Sequence, residues 1–219
     1  MFPLGLHQNG QSRFRILCFG AHCDDIETGC GATLLKLKQE LGNRMEIHWV
    51  VLSGTPERER EAIRSARRFL KGVKTKTVSI HHFADSYFPY DGVKIKDCIR
   101  DLGRSLSPDL IFTHQRDDLH QDHRLVSELT WNVFRDHWIL EYEIPKYDGD
   151  MGAPNVFVQL SPSLCRRKIQ TILESFPTQR GKPWFTEDTF WALLRLRGVE
   201  SNAPSRYAEA FYCRKMLLV

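Results

Sequence analysis

The segment CFGAHCDDIETGCGATLLKL, residues 18–37, places His22, Asp24 and Asp25 at the end of a short apolar run, with glycines close behind. Polar groups at the end of a buried strand are costly unless something binds them. A second segment, HQRDDLHQDHR (114–124), holds three histidines and three aspartates. Imidazole nitrogens and carboxylate oxygens together suit a divalent cation, Zn²⁺ above all, with Fe²⁺, Mn²⁺ or Co²⁺ as alternatives. Three protein ligands and one open position describe a catalytic centre rather than a structural one. His22 and Asp25 could give two ligands from one tight turn, and a histidine across the crevice the third. Asp24 would then stand beside the open position as a proton acceptor. The competing reading is local. Aspartates at helix starts cap backbone N–H groups, which fits Asp122 and either Asp24 or Asp25. Gly29 and Gly31 invite a third reading, a phosphate-binding turn, but position 34 is leucine and the G-x-G-x-x-G form is incomplete.

Either kind of site needs elements that bring the two segments together. Apolar runs at 15–20, 45–53, 76–83 and 108–114 predict strands. Helical spacing predicts helices over 28–41, 56–70, 94–106 and 122–138, the second with Pro56 in its first turn. Strands alternating with helices imply βαβ units. The expected fold is α/β and Rossmann-like, a doubly wound, mainly parallel sheet with helices on both faces. Ligands in such sheets bind outside the carboxyl ends of the strands at the switch point, which the first and fourth strands often flank. The two polar segments follow those two strands. After residue 140 the pattern loosens into strands at 139–144 and 155–160, a turn-rich loop between them, and helices at 162–175 and 187–197. No repeat, low-complexity tract or linker appears, so residues 1–219 read as one domain.

Composition narrows the function classes. The chain has 219 residues, 42% hydrophobic, and a net charge of +4 from 31 basic and 27 acidic residues. That is enough to bury a sizeable core. The charges are mixed, without the dense basic stripe and interleaved aromatics of a nucleic-acid binder. Arg166, Arg167 and Lys168 read as a solvated helix face. No apolar stretch has the length of a membrane span. The start, MFPLGLHQNGQSRF, lacks the charged and apolar regions of a secretion signal and reads as a flexible lead-in. Six cysteines without a Cys-x-x-Cys pair fit reduced core thiols and a cytoplasmic setting.

AHCDDIETGCGATL resembles the Ala-His-Pro-Asp-Asp-Glu…Gly-x-Gly-Gly signature of the LmbE-like, or PIG-L, zinc-dependent N-deacetylases. HQRDDLHQDHR resembles their second signature, His-x-x-x-Asp-x-His-x-Asp-His. The order and separation of the motifs agree with that family. The resemblance implies that His22, Asp25 and His123 bind zinc and that Asp24 is the general base. It also implies that His120 steadies the developing oxyanion and that Asp122 orients His120. Arg58 falls near a substrate-contacting arginine of the family, and His114 and Asp118 match residues that shape the loop. Three positions depart: Cys23 stands for proline, Ile26 for glutamate and Ala32 for glycine. Loss of the proline should loosen the turn, and Cys23 becomes an alternative soft ligand. The implied activity is hydrolysis of an N-acetyl amide on a small molecule, an N-acetylamino sugar or a sugar-containing natural-product intermediate. The alternatives are a thiol-cofactor precursor or conjugate amide on the same site, or a Rossmann-like module that binds metal or nucleotide without catalysis.

Other residues stay open. His81 and His82 end a strand near the crevice and read as a satisfied loop pair. Tyr147, Trp184 and Phe185 could stack on a sugar, while Lys146, Asp148 and Arg180 could bind hydroxyls or a phosphate. Exposed aromatics also favour contacts between copies of the chain. Glu209 could approach the site.

Overall fold

The computed structural model describes residues 13–217; the expected flexible lead-in falls almost entirely outside them. In chain order the elements are β1 (Phe14–Gly20), α1 (Asp25–Leu41), β2 (Met45–Val51), α2 (Pro56–Phe69), β3 (Thr75–Ile80), α3 (Gly92–Ser105), β4 (Leu110–His114), α4 (Gln121–Val133), β5 (Trp138–Tyr142), β6 (Val156–Gln159), α5 (Pro162–Ser175), α6 (Glu187–Glu200) and β7 (Ala208–Tyr212). Seven strands form one sheet in the order β3-β2-β1-β4-β5-β7-β6. The first five are parallel to their neighbours, and β7 runs antiparallel to both β5 and β6. The expected α/β class is therefore what forms, with β1 and β4 adjacent at the point where strand order reverses.

The strands read as apolar runs because both faces are covered. Ile16 and Cys18 of β1 face the larger core, shared with α1, α2, α5 and α6 through Leu34, Ala62, Ile169 and Leu194. Leu17 and Phe19 face the smaller one, shared with α3 and α4 through Ile99 and Val126. Local signals fix the helix starts. Thr55, Ser161 and Thr186 cap α2, α5 and α6 through their side chains, and Pro56 and Pro162 occupy the first turn. Among the described residues no helix is long and apolar enough to cross a membrane.

Two expectations fail, and one strand went unforeseen. α4 ends at Val133, not 138, because Trp138 starts β5 beside Leu110. β7 was hidden in a C-terminal stretch with no clear pattern. Lys168 is not on a solvated face: it is buried, and its Nζ lies 2.6 Å from Glu209 Oε1. All six cysteines are free, and Cys18, Cys23, Cys30 and Cys165 are buried.

Candidate active site

The first segment turns sharply between β1 and α1. Leu52 N–H and Ser53 N–H bond the carbonyls of Gly20 and Ala21, and Cys23 Sγ reaches the Ser53 carbonyl at 3.3 Å. Proline is thus replaced by a cysteine that ties the turn to the end of β2. Burial pushes the Cys23 thiol up to about 12, and the compact donor groups among the described residues do not include it. Ile26 packs in the larger core, and Ala32 N–H donates to Glu209 Oε1 at 3.0 Å. Gly29 and Gly31 lie inside α1, not in a phosphate-binding turn. A Cβ on Gly29 would sit 2.2 Å from the Tyr142 ring, and one on Gly31 2.8 Å from Phe69. The two glycines let α1 approach the sheet and α2 closely.

Asp24 occupies the N-cap of α1 but makes no side-chain cap bond. Its Oδ1 accepts from Arg58 Nη2 at 2.6 Å. Asp25 Oδ2 accepts the His22 backbone N–H at 2.6 Å. At α4 the cap is His120, whose Nδ1 accepts the Asp122 N–H at 3.2 Å. The aspartate carboxylates are therefore directed at histidines, Arg58 and the loop backbone rather than at helix ends.

Three donor atoms converge. His22 Nδ1 lies 3.0 Å from His123 Nε2 and 3.4 Å from Asp25 Oδ2, and the last two are 3.6 Å apart. Ligand atoms around a tetrahedral ion with bonds of about 2.0–2.2 Å are roughly 3.3–3.6 Å apart, so the triangle fits one ion. Both imidazoles are oriented from behind. His123 Nδ1 meets Asp118 Oδ2 at 2.9 Å, and His22 Nε2 meets Asp122 Oδ2 at 3.3 Å, the carboxylate backing typical of metal-ligating histidines. A second triad, Asp25, His114 and His123, is also compact. It fits an ion less well, because the His114 and His123 rings stack 3.9 Å apart at 22°, and nearly parallel rings cannot both aim in-plane lone pairs at one point. His114 Nε2 also accepts the Ala21 N–H at 3.0 Å.

Electrostatics suit Asp25 and His123 as ligands of the first triad, whereas His22 must give up a proton to join them. Burial, reinforced by His114, holds His123 down to about 3, so it is a neutral donor near neutral pH. Burial also pulls His22 down, but Asp25, Asp122 and Asp85 outweigh it and hold that imidazole well above its usual value. Burial opposes ionisation of Asp25, yet His123, His114 and His22 keep its carboxyl well below the usual carboxylate range. Burial holds Asp24 above that range, opposed by Arg58 and assisted by Asp25. His120 is lowered by burial and by His22. With Nδ1 accepting at the helix cap, its Nε2 carries the proton and is a donor. Its ring lies edge-on to His22 at 4.9 Å and stacks on His123 at 4.6 Å.

His22, Asp24, Asp25, His120, Asp122, His123 and Arg58 all come together, but Asp122 does so differently from expectation. Asp122 directs its carboxylate to His22, and to the N–H groups of Ser86 and Phe88 at 2.6 and 3.1 Å, rather than to His120. Arg58, expected to contact substrate, is engaged by Asp24. His82 Nδ1 lies 3.0 Å from the Gly54 carbonyl oxygen, and His81 lies 3.6 Å from Cys98 Sγ. Phe185 is buried and Trp184 packs edge-on against it, which leaves Tyr147 as the exposed aromatic of that trio. Glu209 bonds α1 from behind instead of entering the site. Sequence reasoning missed Tyr142, whose hydroxyl donates to the Phe19 carbonyl at 2.5 Å and lies 3.3 Å from His114 Nε2. It also missed Asp85, 3.2 Å from His22 Nε2. Neither lies within the two quoted motifs.

The sequence model of the PIG-L family, described as GlcNAc-PI de-N-acetylase, matches residues 17–134, more than half of the chain and both polar segments. The chain belongs to the PIG-L family. Solved structures repeat its fold. A conserved protein of Thermus thermophilus, TT1542, is similar at 23% identity over 93% of this chain and 96% of its own, with a TM-score of 0.72. The N,N'-diacetylchitobiose deacetylase of Pyrococcus horikoshii is similar at 21% identity over 91% and 83%, TM-score 0.64. GalB, the 4-carboxy-2-hydroxymuconate hydratase of Pseudomonas putida KT2440, is similar at 17% identity over 94% and 98%, TM-score 0.69. A deacetylase and a hydratase thus share this architecture, so the choice between reactions falls to the site.

Proposed function

We propose that the chain is a metal-dependent N-deacetylase of small N-acetylated molecules, with an N-acetylamino sugar or a sugar-containing natural-product intermediate as substrate. The observation that carries this reading is the His22–Asp25–His123 donor triangle with a second carboxylate, Asp24, beside it and held by Arg58. Two nitrogens and one oxygen suit Zn²⁺, with Fe²⁺, Mn²⁺ and Co²⁺ as alternatives. An ion held there would supply Lewis acidity, activating water and stabilising charge on a carbonyl oxygen.

The residues do the rest. Asp24, kept above the usual carboxylate range by burial, accepts a proton from the attacking water. The water oxygen bonds to the amide carbon, and the carbonyl oxygen takes the electron pair. His120 donates its Nε2–H to that oxygen; one such donor contributes about 3 kcal/mol. The proton on Asp24 then passes to the amide nitrogen, the C–N bond breaks, and acetate and the free amine leave. Arg58 keeps Asp24 in place throughout.

The test is acetate release from a panel of N-acetyl sugars, thiol-cofactor precursors and conjugate amides, with and without a chelator. Chelator-sensitive release from the sugars supports the proposal, and release from another class reassigns the substrate. Stoichiometric bound metal with no hydrolysis of any amide overturns it in favour of a binding module.

A further inference from the structure

Lys146 follows β5, outside the stretch that the family model matches, and is a residue that sequence reading offers to substrate hydroxyls. The structure uses it elsewhere. Its side chain is 8% exposed, and Nζ lies 3.1 Å from Asp118 Oδ1. Nζ also pairs with Asp150 Oδ2, and Asp148 Oδ2 lies 4.0 Å away. Asp118 is fully buried. Its Oδ1 also accepts the His120 N–H at 2.8 Å, while its Oδ2 meets His123 Nδ1 at 2.9 Å. Asp150 joins the same loop from the other side. Its Oδ2 accepts the Leu119 N–H at 2.7 Å, and its backbone carbonyl accepts from Gln115 Nε2 at 3.0 Å. An unbroken line of contacts therefore runs Asp150–Lys146–Asp118–His123 and ends at the donor triangle.

We infer that Lys146 is a positioning residue for the metal centre. Resting on the metal reading above, the inference is that its ammonium fixes the Asp118 carboxylate, and Asp118 in turn fixes the His123 ring, with Nε2 aimed at the ion. Three donors hold Asp118: the His120 N–H, His123 Nδ1–H and Lys146. Of these, only the lysine belongs to another loop and carries a full charge. Without it, one oxygen of a buried carboxylate retains a single backbone partner, and the carboxylate plane can rotate away from His123. Groups that orient ligands in this way typically govern affinity by 10–100-fold.

The test uses the full chain and Zn²⁺ in competition with a chromophoric chelator. Lys146→Met is expected to bind Zn²⁺ at least tenfold more weakly than the unaltered chain, and with Co²⁺ as probe its visible d–d bands should shift. Lys146→Gln, which keeps a donor without the charge, is expected to lose less and serves if the methionine variant fails to fold. A merely structural role would lower the melting temperature of the metal-free protein and leave both metal readouts unmoved. Affinity within twofold of the unaltered chain in a folded variant, with unchanged Co²⁺ bands, overturns the inference alone. No Zn²⁺ uptake by the unaltered chain overturns the metal reading and this inference with it.

Discussion

At the residue scale, each side chain of the centre is assigned by where its second polar atom goes. His22 and His123 each use one ring nitrogen on a carboxylate and leave the other for the triangle. Asp25 lies within the triangle, whereas Asp24 is turned to Arg58. Two substitutions separate these roles. Asp24→Asn should keep one equivalent of metal, measured by elemental analysis, while acetate release falls by about 10²–10⁴. His123→Ala should lose both metal and turnover, since it removes a ligand atom of the triangle. Retained turnover in Asp24→Asn would remove the base assignment. Two donors of the triangle could be proposed from the sequence because His22 and Asp25 lie within four positions, whereas His123 was singled out only by the family resemblance. Asp122 could not be assigned in the same way. Its neighbour in sequence, His123, and the residue two before it, His120, are not its carboxylate's partners; the carboxylate crosses the crevice to His22. A motif records spacing along the chain, and such cross-crevice pairing is not written in it.

At the element scale, α1 carries the first motif, and its placement depends on close approach. Gly29→Ala would drive a methyl group into the Tyr142 ring, which is itself held between the Phe19 carbonyl and His114. Overpacking of this kind costs about 1–3 kcal/mol. Urea unfolding should show that loss, and metal affinity should fall too, because the displaced Tyr142 bears on His114 beside Asp25. The far end of α1 gives a pH prediction. Burial, with Arg167 adding repulsion, pulls the Lys38 ammonium down to about 8. In an unfolded chain lysine titrates near 10.4. Between these values the unfolded state holds more protons, so Lys38 makes stability rise with pH from about 8 to about 10. Lys38→Met should remove that rise. The stability of the variant relative to the parent should therefore decrease steadily when urea curves at pH 7.5, 8.5 and 9.5 are compared. A constant difference would show that Lys38 does not titrate there. The helices themselves were legible because their apolar periodicity and start signals agree, as in α2 with Pro56 in its first turn. The end of α4 was not. Its pattern runs on into Asp136, His137 and Trp138, and only pairing of Trp138 with Leu110 decides that the chain has already left the helix.

At the scale of the whole molecule, the crevice is fixed early in the chain and its supports come from the late part. The parallel order β3-β2-β1-β4-β5 follows from alternating strands and helices and was legible for that reason. The antiparallel insertion of β7 between β5 and β6 was not, because AEAFY is short and two of its five residues are alanine. Yet β7 bears directly on the helix that carries the motif. Glu209 accepts the N–H groups of Ala32 and Thr33 at 3.0 and 2.6 Å, and Lys168 of α5 donates to the Thr28 carbonyl at 2.5 Å and to Glu209 at 2.6 Å. A buried ion pair thus enters the hydrogen-bond ladder of α1 on both sides of the glycines. Breaking such a pair on one side leaves an uncompensated buried charge and costs about 3–5 kcal/mol, whereas neutralising both sides costs much less. Lys168→Met should therefore lower the urea midpoint strongly. The double variant Lys168→Met/Glu209→Gln, which keeps an acceptor for Ala32 or Thr33 but removes the stranded charge, should recover more than about 1 kcal/mol of the loss. If the double variant is instead as unstable as the two single losses added together, the pair is not coupled, and α1 is held by packing rather than by this clamp.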